Sequence, residues 1–288
     1  MGVMDKVKKA IIPVAGLGTR FLPLSRVVPK ELWPVAGKPM LQYVVEEAIL
    51  SGIEQIVFVI SPDKKIILDY FREPAKTLEG ILKERKKDEI LEKVKAFSEY
   101  LKRVSISFVI EKEPLGDGHA VLQARKLIGD DVCAVLFGDD IVESKTPCLA
   151  QMIKTFKTCQ RPVLSLFRLP KEKLPFYGIV DVEKIASRLY KIKKVAEKPK
   201  IEEAPSDLTI VGKYIITPDI FDYLKKLAPN QRGEIILADA FEKAIKDSKA
   251  VYGYEFEGQW RECGNIPAYL ETNIYYSSKE LNKKVSEI

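Results

Sequence analysis

The chain is predicted to adopt an α/β fold, a Rossmann-like mixed, mostly parallel sheet flanked by helices. Three observations predict it. Apolar runs of strand length recur along the chain, with helix-length stretches between most of them. The first run leads directly into a glycine-bearing loop rich in basic residues and prolines. A later run of purely apolar residues ends in Gly138-Asp139-Asp140, and ligands of open α/β sheets bind beyond the carboxyl ends of strands.

The first strand is Lys9 to Val14 (KAIIPV), and from Ala15 to Pro39 the chain reads AGLGTRFLPLSRVVPKELWPVAGKP. Gly16 and Gly18 let backbone N–H groups approach a phosphate chain, because no Cβ intervenes. Arg20, Lys30 and Lys38 supply cations. Pro23, Pro29, Pro34 and Pro39 fix φ and keep the preceding residues extended, so the loop is stiff. Neither common phosphate motif fits. Phe21 stands where a dinucleotide fingerprint needs its third glycine, and the Gly-Lys-Ser/Thr of a P-loop is absent.

Gln55 to Ile60 is the next strand. From Thr77 to Arg103, Leu78, Ile81, Leu82, Ile90, Leu91, Val94 and Phe97 lie among dense charges, the pattern of one or two amphipathic helices. These form a charged helical insertion at about 74–103. Its interleaved glutamates, without an aromatic platform, fit a solvated helical face rather than nucleic acid. Strands follow at Ser105 to Ile110, Val132 to Phe137, Val163 to Arg168, Gly178 to Val182, Tyr190 to Val195, Ile210 to Ile216 and Val251 to Phe256, the later ones forming an antiparallel portion. A C-terminal helix is expected at about 267–280, the whole of 1–288 forming one domain.

At 288 residues and 46% apolar content, the chain can bury a substantial core. The beginning of the sequence lacks an apolar signal core and no stretch of eighteen apolar residues occurs, which predicts a cytoplasmic protein without membrane contact. Four cysteines, Cys133, Cys148, Cys159 and Cys263, have neither CxxC spacing nor histidine companions, so reduced thiols are expected rather than zinc ligands. A net charge of +6 fits anionic small substrates and a solvated surface equally well.

GxGTR followed by PK and KP resembles the signature of sugar-1-phosphate nucleotidyltransferases. Tyr43 to Ala48, Pro114-Leu115-Gly116 with Gly118-His119-Ala120, Gly138 to Ile141, Tyr177 to Val180, Glu197-Lys198-Pro199, Glu203 to Ser206 and Gly233-Glu234-Ile235 resemble, in the same order, the bacterial-type UTP–glucose-1-phosphate uridylyltransferases. The similarity runs from about residue 8 to 276. It implies the nucleotide-diphospho-sugar transferase fold, Mg2+ as cofactor, UTP and glucose 1-phosphate as substrates, and a homodimer or homotetramer.

Carried over residue by residue, the resemblance implies catalytic roles for Arg20 (leaving pyrophosphate), Lys30 (triphosphate), Asp139 (metal) and Lys198 (incoming phosphate). Ala15, Gly16, Gly18, Thr19, Glu111, Pro114, Gly116, Gly118 and His119 would surround the nucleotide. Asp140, Tyr177, Gly178, Glu197, Gly212 and Glu234 would line the sugar-phosphate pocket, and Glu262 would be the second metal carboxylate. Taken alone, Asp139 also suits a helix cap, Glu197-Lys198 a surface ion pair, and His119 a satisfied structural histidine.

Several positions depart from the family pattern. Glu111 stands where glutamine is usual, and an ionised carboxylate only accepts hydrogen bonds, which suits uracil N3–H but repels O4. Asp117 replaces leucine. Glu262 replaces aspartate, an extra methylene worth roughly 1.5 Å. Ala238 replaces threonine, and Ser61-Pro62-Asp63-Lys64 replaces a Gly-Arg-Gly-Lys-like turn. These departures keep two alternatives open: the same chemistry with dTTP, CTP, GTP or another sugar 1-phosphate, and a non-catalytic ligand sensor on the same fold.

Overall fold

The computed structural model describes residues 6–71 and 76–286. Its strands are β1 (Lys9–Pro13), β2 (Pro34–Val35), β3 (Lys38–Pro39), β4 (Gln55–Ile60), β5 (Ser105–Ile110), β6 (Cys133–Leu136), β7 (Asp140–Glu143), β8 (Val163–Arg168), β9 (Gly178–Ala186), β10 (Leu189–Glu197), β11 (Leu208–Ile216), β12 (Tyr252–Glu255) and β13 (Gln259–Glu262). Nine of them form one sheet in the order β5-β4-β1-β6-β11-β8-β12-β10-β9. The half from β5 to β6 is parallel throughout. β11 then enters antiparallel to both β6 and β8, and the rest is antiparallel except for β8 with β12. The small pairs β7–β13 and β2–β3 lie outside this sheet.

Alternation along the strands builds the two faces. Ala10, Ile12, Phe58, Ile60, Ala134 and Leu136 face one side, where helices Met40–Leu50, Asp88–Leu101 and Cys148–Cys159 bring Leu41, Val45, Leu101 and Phe156 against them. Ile11, Val57, Val59, Cys133 and Val135 face the other, covered by Val121, Phe221 and Phe241. With both faces covered, these central strands read as continuous apolar runs. Cys133 is one of four free thiols and packs as a small hydrophobe, burial pushing its thiol well up.

The charged segment forms two helices, Lys76–Glu84 and Asp88–Leu101; residues 74 and 75, where the insertion was expected to start, lie outside the described residues. The C-terminal helix spans Ile266–Ser286. Among the described residues, no helix is long and apolar enough to cross a membrane.

β1 is flanked by β4 on one side and β6 on the other, both parallel to it. Their carboxyl ends therefore open into one crevice, and the loops that leave them carry the polar residues.

Candidate active site

A cleft of about 1560 Å3 opens at these strand ends. Ala15, Gly16, Gly18, Thr19, Arg20, Lys30, Glu111, Pro114, Gly116, Asp139, Asp140, Tyr177, Gly178, Glu197, Lys198, Gly212, Glu234 and Glu262 all line it. Gly118 and His119 do not.

The glycine loop leaves β1 and breaks into short 3-10 turns at Thr19–Phe21, Leu24–Arg26 and Lys30–Leu32. Gly18 has φ 63° and its carbonyl accepts a hydrogen bond from Ser25 Oγ at 2.9 Å. Its left-handed backbone is the reason for glycine there. Lys38 departs from expectation. Its ammonium pairs with Glu46 at 2.8 Å and sits over the Tyr43 ring, turned away from the cleft toward helix Met40–Leu50.

Asp139 does not cap a helix, since the strand β7 follows it. Its Oδ2 is 2.5 Å from Lys30 Nζ. Burial works against both charges, but each stabilises the other, so the carboxyl is held below its ordinary range and the ammonium above its own. Gly264 lies beside this pair. A Cβ built on it would stand 3.0 Å from Glu262 Oε1, 3.4 Å from Asp139 Oδ2 and 3.5 Å from Arg20 Nη1. Two carboxylate oxygens thus border a space that any side chain would fill. The other Glu262 oxygen accepts a hydrogen bond from the Tyr177 hydroxyl. Burial, with the Asp139 charge adding to it, raises the Glu262 carboxyl above its usual value. Arg20 Nη1 donates to Gly264 O at 3.1 Å, tying the glycine loop to this turn.

A hard divalent cation suits this donor set. Mg2+ is commonly held by one or two carboxylates, with water and substrate phosphates completing six oxygens. Among the described residues no cluster of three or more metal-ligating side chains occurs, so a cation here would need oxygens from outside the protein as well.

Asp140 is committed to the protein. Oδ1 accepts from Trp260 Nε1 at 2.7 Å and Oδ2 from Gly212 N at 3.2 Å, while its carbonyl accepts from Lys213 Nζ at 2.8 Å. Burial, then the Asp139 charge, pushes its carboxyl up to about 7. Gly212 permits this, because a Cβ there would lie 2.1 Å from Asp140 Oδ2.

Across the cleft, the last rung of β10 with β9 pairs Glu197 with Gly178. Lys198 follows with φ 48°, a left-handed conformation rare for a side-chain-bearing residue. Its N–H donates to Tyr177 O at 3.1 Å and its ammonium lies 3.2 Å from Glu197 Oε1.

Beside Glu111 and Pro114 the cleft wall is packed backbone to backbone. Gly118 N donates to Ile235 O at 2.9 Å and Ile235 N to Leu115 O at 2.7 Å. Cβ atoms on Gly116 or Gly118 would come within 2.6 Å and 2.8 Å of that segment. Asp117 Oδ1 accepts from Leu237 N at 2.8 Å, at the start of helix Leu237–Lys246. His119 lies behind Glu111, Nδ1 at 2.5 Å from Glu111 Oε1 and Nε2 at 2.8 Å from Gln123 Nε2.

Sequence reasoning missed the supports. Lys64, almost wholly buried, donates to Val14 O at 2.9 Å and Gly16 O at 2.6 Å and pairs with Glu31 at 3.0 Å. Lys213 pairs with Glu47 at 2.9 Å beneath Asp140. Lysine within a buried strand, as in TIVGKYII, was the available signal for Lys213.

The sequence profile of the nucleotidyl transferase family matches residues 9–279. UTP–glucose-1-phosphate uridylyltransferase 2 of Staphylococcus saprophyticus is 44% identical over 96% of this chain and 94% of its own length. The Bacillus subtilis UTP–glucose-1-phosphate uridylyltransferase is 41% identical over 96% and 93%. Among solved structures, a UTP-bound UGPase from Acinetobacter baumannii matches with TM-score 0.88 at 35% identity, covering 98% of this chain and 100% of that one. A UDP-glucose pyrophosphorylase complexed with UDP-glucose matches with TM-score 0.85 at 34% identity, covering 95% and 100%.

Proposed function

The chain belongs to the nucleotidyl transferase family, among its bacterial UTP–glucose-1-phosphate uridylyltransferases, and we propose that its cleft transfers the uridylyl group of UTP to glucose 1-phosphate. The products are UDP-glucose and pyrophosphate. A phosphate oxygen of the sugar phosphate forms a bond to the α-phosphorus of UTP. The bond from that phosphorus to the α,β-bridging oxygen breaks, and pyrophosphate leaves with the electron pair. The nucleophile is already anionic near neutral pH, so the protein needs no general base. It needs alignment and charge neutralisation.

Each charged group then has a task. Lys30 and the glycine loop hold the triphosphate, and Arg20 meets the charge that accumulates on the departing pyrophosphate. Lys198 draws the sugar phosphate toward the α-phosphorus, while Glu197 accepts hydrogen bonds from sugar hydroxyls. Gly178, Gly212, Tyr177 and Glu234 shape the sugar pocket, and Asp140 braces its floor through Gly212 and Trp260. Asp139 and Glu262 are the residues that would hold Mg2+. When bound there, the ion supplies positive charge to the phosphates.

The observation that carries this assignment is the meeting of Arg20, Asp139 and Glu262 around the open side of Gly264, with Lys30 bound to Asp139. Pyrophosphate release from UTP, glucose 1-phosphate and Mg2+ tests it. We expect turnover with that pair, and a loss of at least ~100-fold in Asp139→Asn; Asp139→Asn at wild-type rate would remove the metal role. A cytoplasmic homodimer or homotetramer completes the proposal, with light scattering as its check: a monomer at working concentration would remove that part.

A further inference from the structure

We infer that the C-terminal helix Ile266–Ser286 is a strut that sets the distance between the glycine loop and the Glu262 turn, with Tyr269 and Thr272 as the positioning residues at its two contacts. The inference rests on the uridylyl-transfer function proposed above, since it concerns how the triphosphate is held.

The helix springs from the turn that bears Glu262. Asn265 Oδ1 accepts from Ala268 N at 3.0 Å, capping the first turn. Further along, Thr272 Oγ1 donates to Glu262 O at 2.9 Å. The turn is also bound to Asp139, whose carbonyl accepts from Cys263 N at 2.8 Å. The helix is therefore fixed to the backbone that carries Glu262 and, one bond on, to that of Asp139.

The same face meets the glycine loop. Tyr269 lies three residues before Thr272, on the same side of the helix. Its hydroxyl donates to Pro34 O at 2.7 Å. Its ring stands edge-on to Phe21 and Trp33, with centroids 6.4 and 5.4 Å away, and those two rings meet edge-on at 4.9 Å. Phe21 is buried and directly follows Arg20, while Trp33 N donates to Lys30 O at 2.9 Å. Each ring thus anchors the backbone beside one of the two cations assigned to the triphosphate. Asn273 adds a second hold on this segment, its Oδ1 accepting from Ala36 N at 2.9 Å. The direction of the two hydroxyl bonds is fixed by their acceptors, because a carbonyl has no proton to give.

The side chains are sorted unlike those of a helix that only fills a core. Tyr269 and Thr272 are 7% and 3% exposed, whereas the aliphatic Ile266, Leu270, Ile274 and Leu281 point outward. Inward, the helix offers hydroxyls that meet the carbonyls of Pro34 and Glu262. In the cleft itself, loop and turn are tied through Arg20 Nη1 and Gly264 O. Arg20 is also the group that meets the departing pyrophosphate. A spacing held from behind leaves that guanidinium able to follow the charge, and a displacement of about 1 Å can cost on the order of 100-fold in rate.

The test combines UTP binding by titration calorimetry, with Mg2+ present, and initial rates over both substrates. The proteins are wild type, Tyr269→Leu, Thr272→Val, the double variant and Tyr269→Phe. Each of Tyr269→Leu and Thr272→Val is expected to weaken UTP binding about tenfold, with KM for glucose 1-phosphate within about twofold of wild type. Either change alone releases the spacing. The double variant should therefore also weaken UTP by about tenfold, not by the roughly 100-fold product that independent contacts would give. Tyr269→Phe keeps all three rings and should recover most of the affinity. Thermal unfolding of each variant separates loss of fold from loss of spacing. If Tyr269→Leu does not fold, Thr272→Val, which removes one hydroxyl and keeps the shape, decides alone. Unchanged UTP affinity in the single variants, a double variant at the product, or a parallel rise in KM for glucose 1-phosphate overturns the strut. A wild type that binds UTP without releasing pyrophosphate would strike the proposed function instead, and the strut would still stand or fall on UTP affinity.

Discussion

Lys64 shows how single residues hold the cleft in shape. Its ammonium is shared among two carbonyls of the glycine loop and both oxygens of Glu31, with 6% of the lysine and 3% of the glutamate side chain exposed. Glu31 adjoins Lys30, so one buried pair braces both the loop and the lysine that meets Asp139. Removing one member of a buried pair strands the other charge, at a cost of about 3–5 kcal/mol. Lys64→Met is therefore expected to lose about that much stability in urea unfolding. Adding Glu31→Gln should recover part of the loss, because the stranded charge disappears. A single mutant within about 0.5 kcal/mol of wild type would show that the pair does not hold the loop. The partners lie 33 residues apart, which is why the sequence marked only an unusual turn at Ser61 to Lys64. Asp139 was readable from its place after an apolar strand. That Asp140 turns both oxygens to Trp260 and Gly212 was not, since Trp260 comes 120 positions later.

Among elements, the central strands were legible because both sheet faces are covered and each reads as an apolar run. The four-residue strands β7 (DIVE) and β13 (QWRE) were not, being short, mostly half-buried and, among the described residues, paired only with each other. Their pairing brings Glu262 opposite Asp140. Helix Leu237–Lys246 has a similarly remote determinant: its first N–H is capped by Asp117 from a distant loop. Burial pushes the Asp117 carboxyl up to about 6, against the hydrogen bonds from Leu237 N and Gly118 N. The folded chain therefore binds this proton more tightly than the unfolded chain. Between the ordinary carboxylate range and about 6, stability falls as pH rises, and the gain is fully present only below the unfolded value. Asp117→Asn keeps an acceptor for Leu237 N and removes the titration. Denaturant unfolding across that window should show a flatter stability profile for Asp117→Asn than for wild type. Identical slopes would mean that Asp117 titrates as it does in the unfolded chain.

At the scale of the molecule, the sheet's change of direction divides the cleft. Its parallel half, β5-β4-β1-β6, ends in the glycine loop, Glu111 and Asp139; its antiparallel half brings Gly178, Glu197 and Lys198 to the opposite wall. β11 joins them, standing between β6 and β8 and carrying Gly212 to the floor. Under the proposed function, such a division predicts separable substrate affinities, the glycine-loop wall acting on UTP and the opposite wall on glucose 1-phosphate. Arg20→Ala should raise KM for UTP, and Glu197→Ala KM for glucose 1-phosphate, each by about tenfold, with little effect on the other substrate's KM. Since the two residues share no hydrogen-bond partner among the described residues, Arg20 bonding Gly264 and Glu197 pairing with Lys198, the double variant should show nearly the product of the single effects. Initial rates over a grid of both substrates would measure this. If either variant raised both constants together, the walls would act as one unit, closing on the two substrates jointly, and the division of labour between the halves of the sheet would be lost.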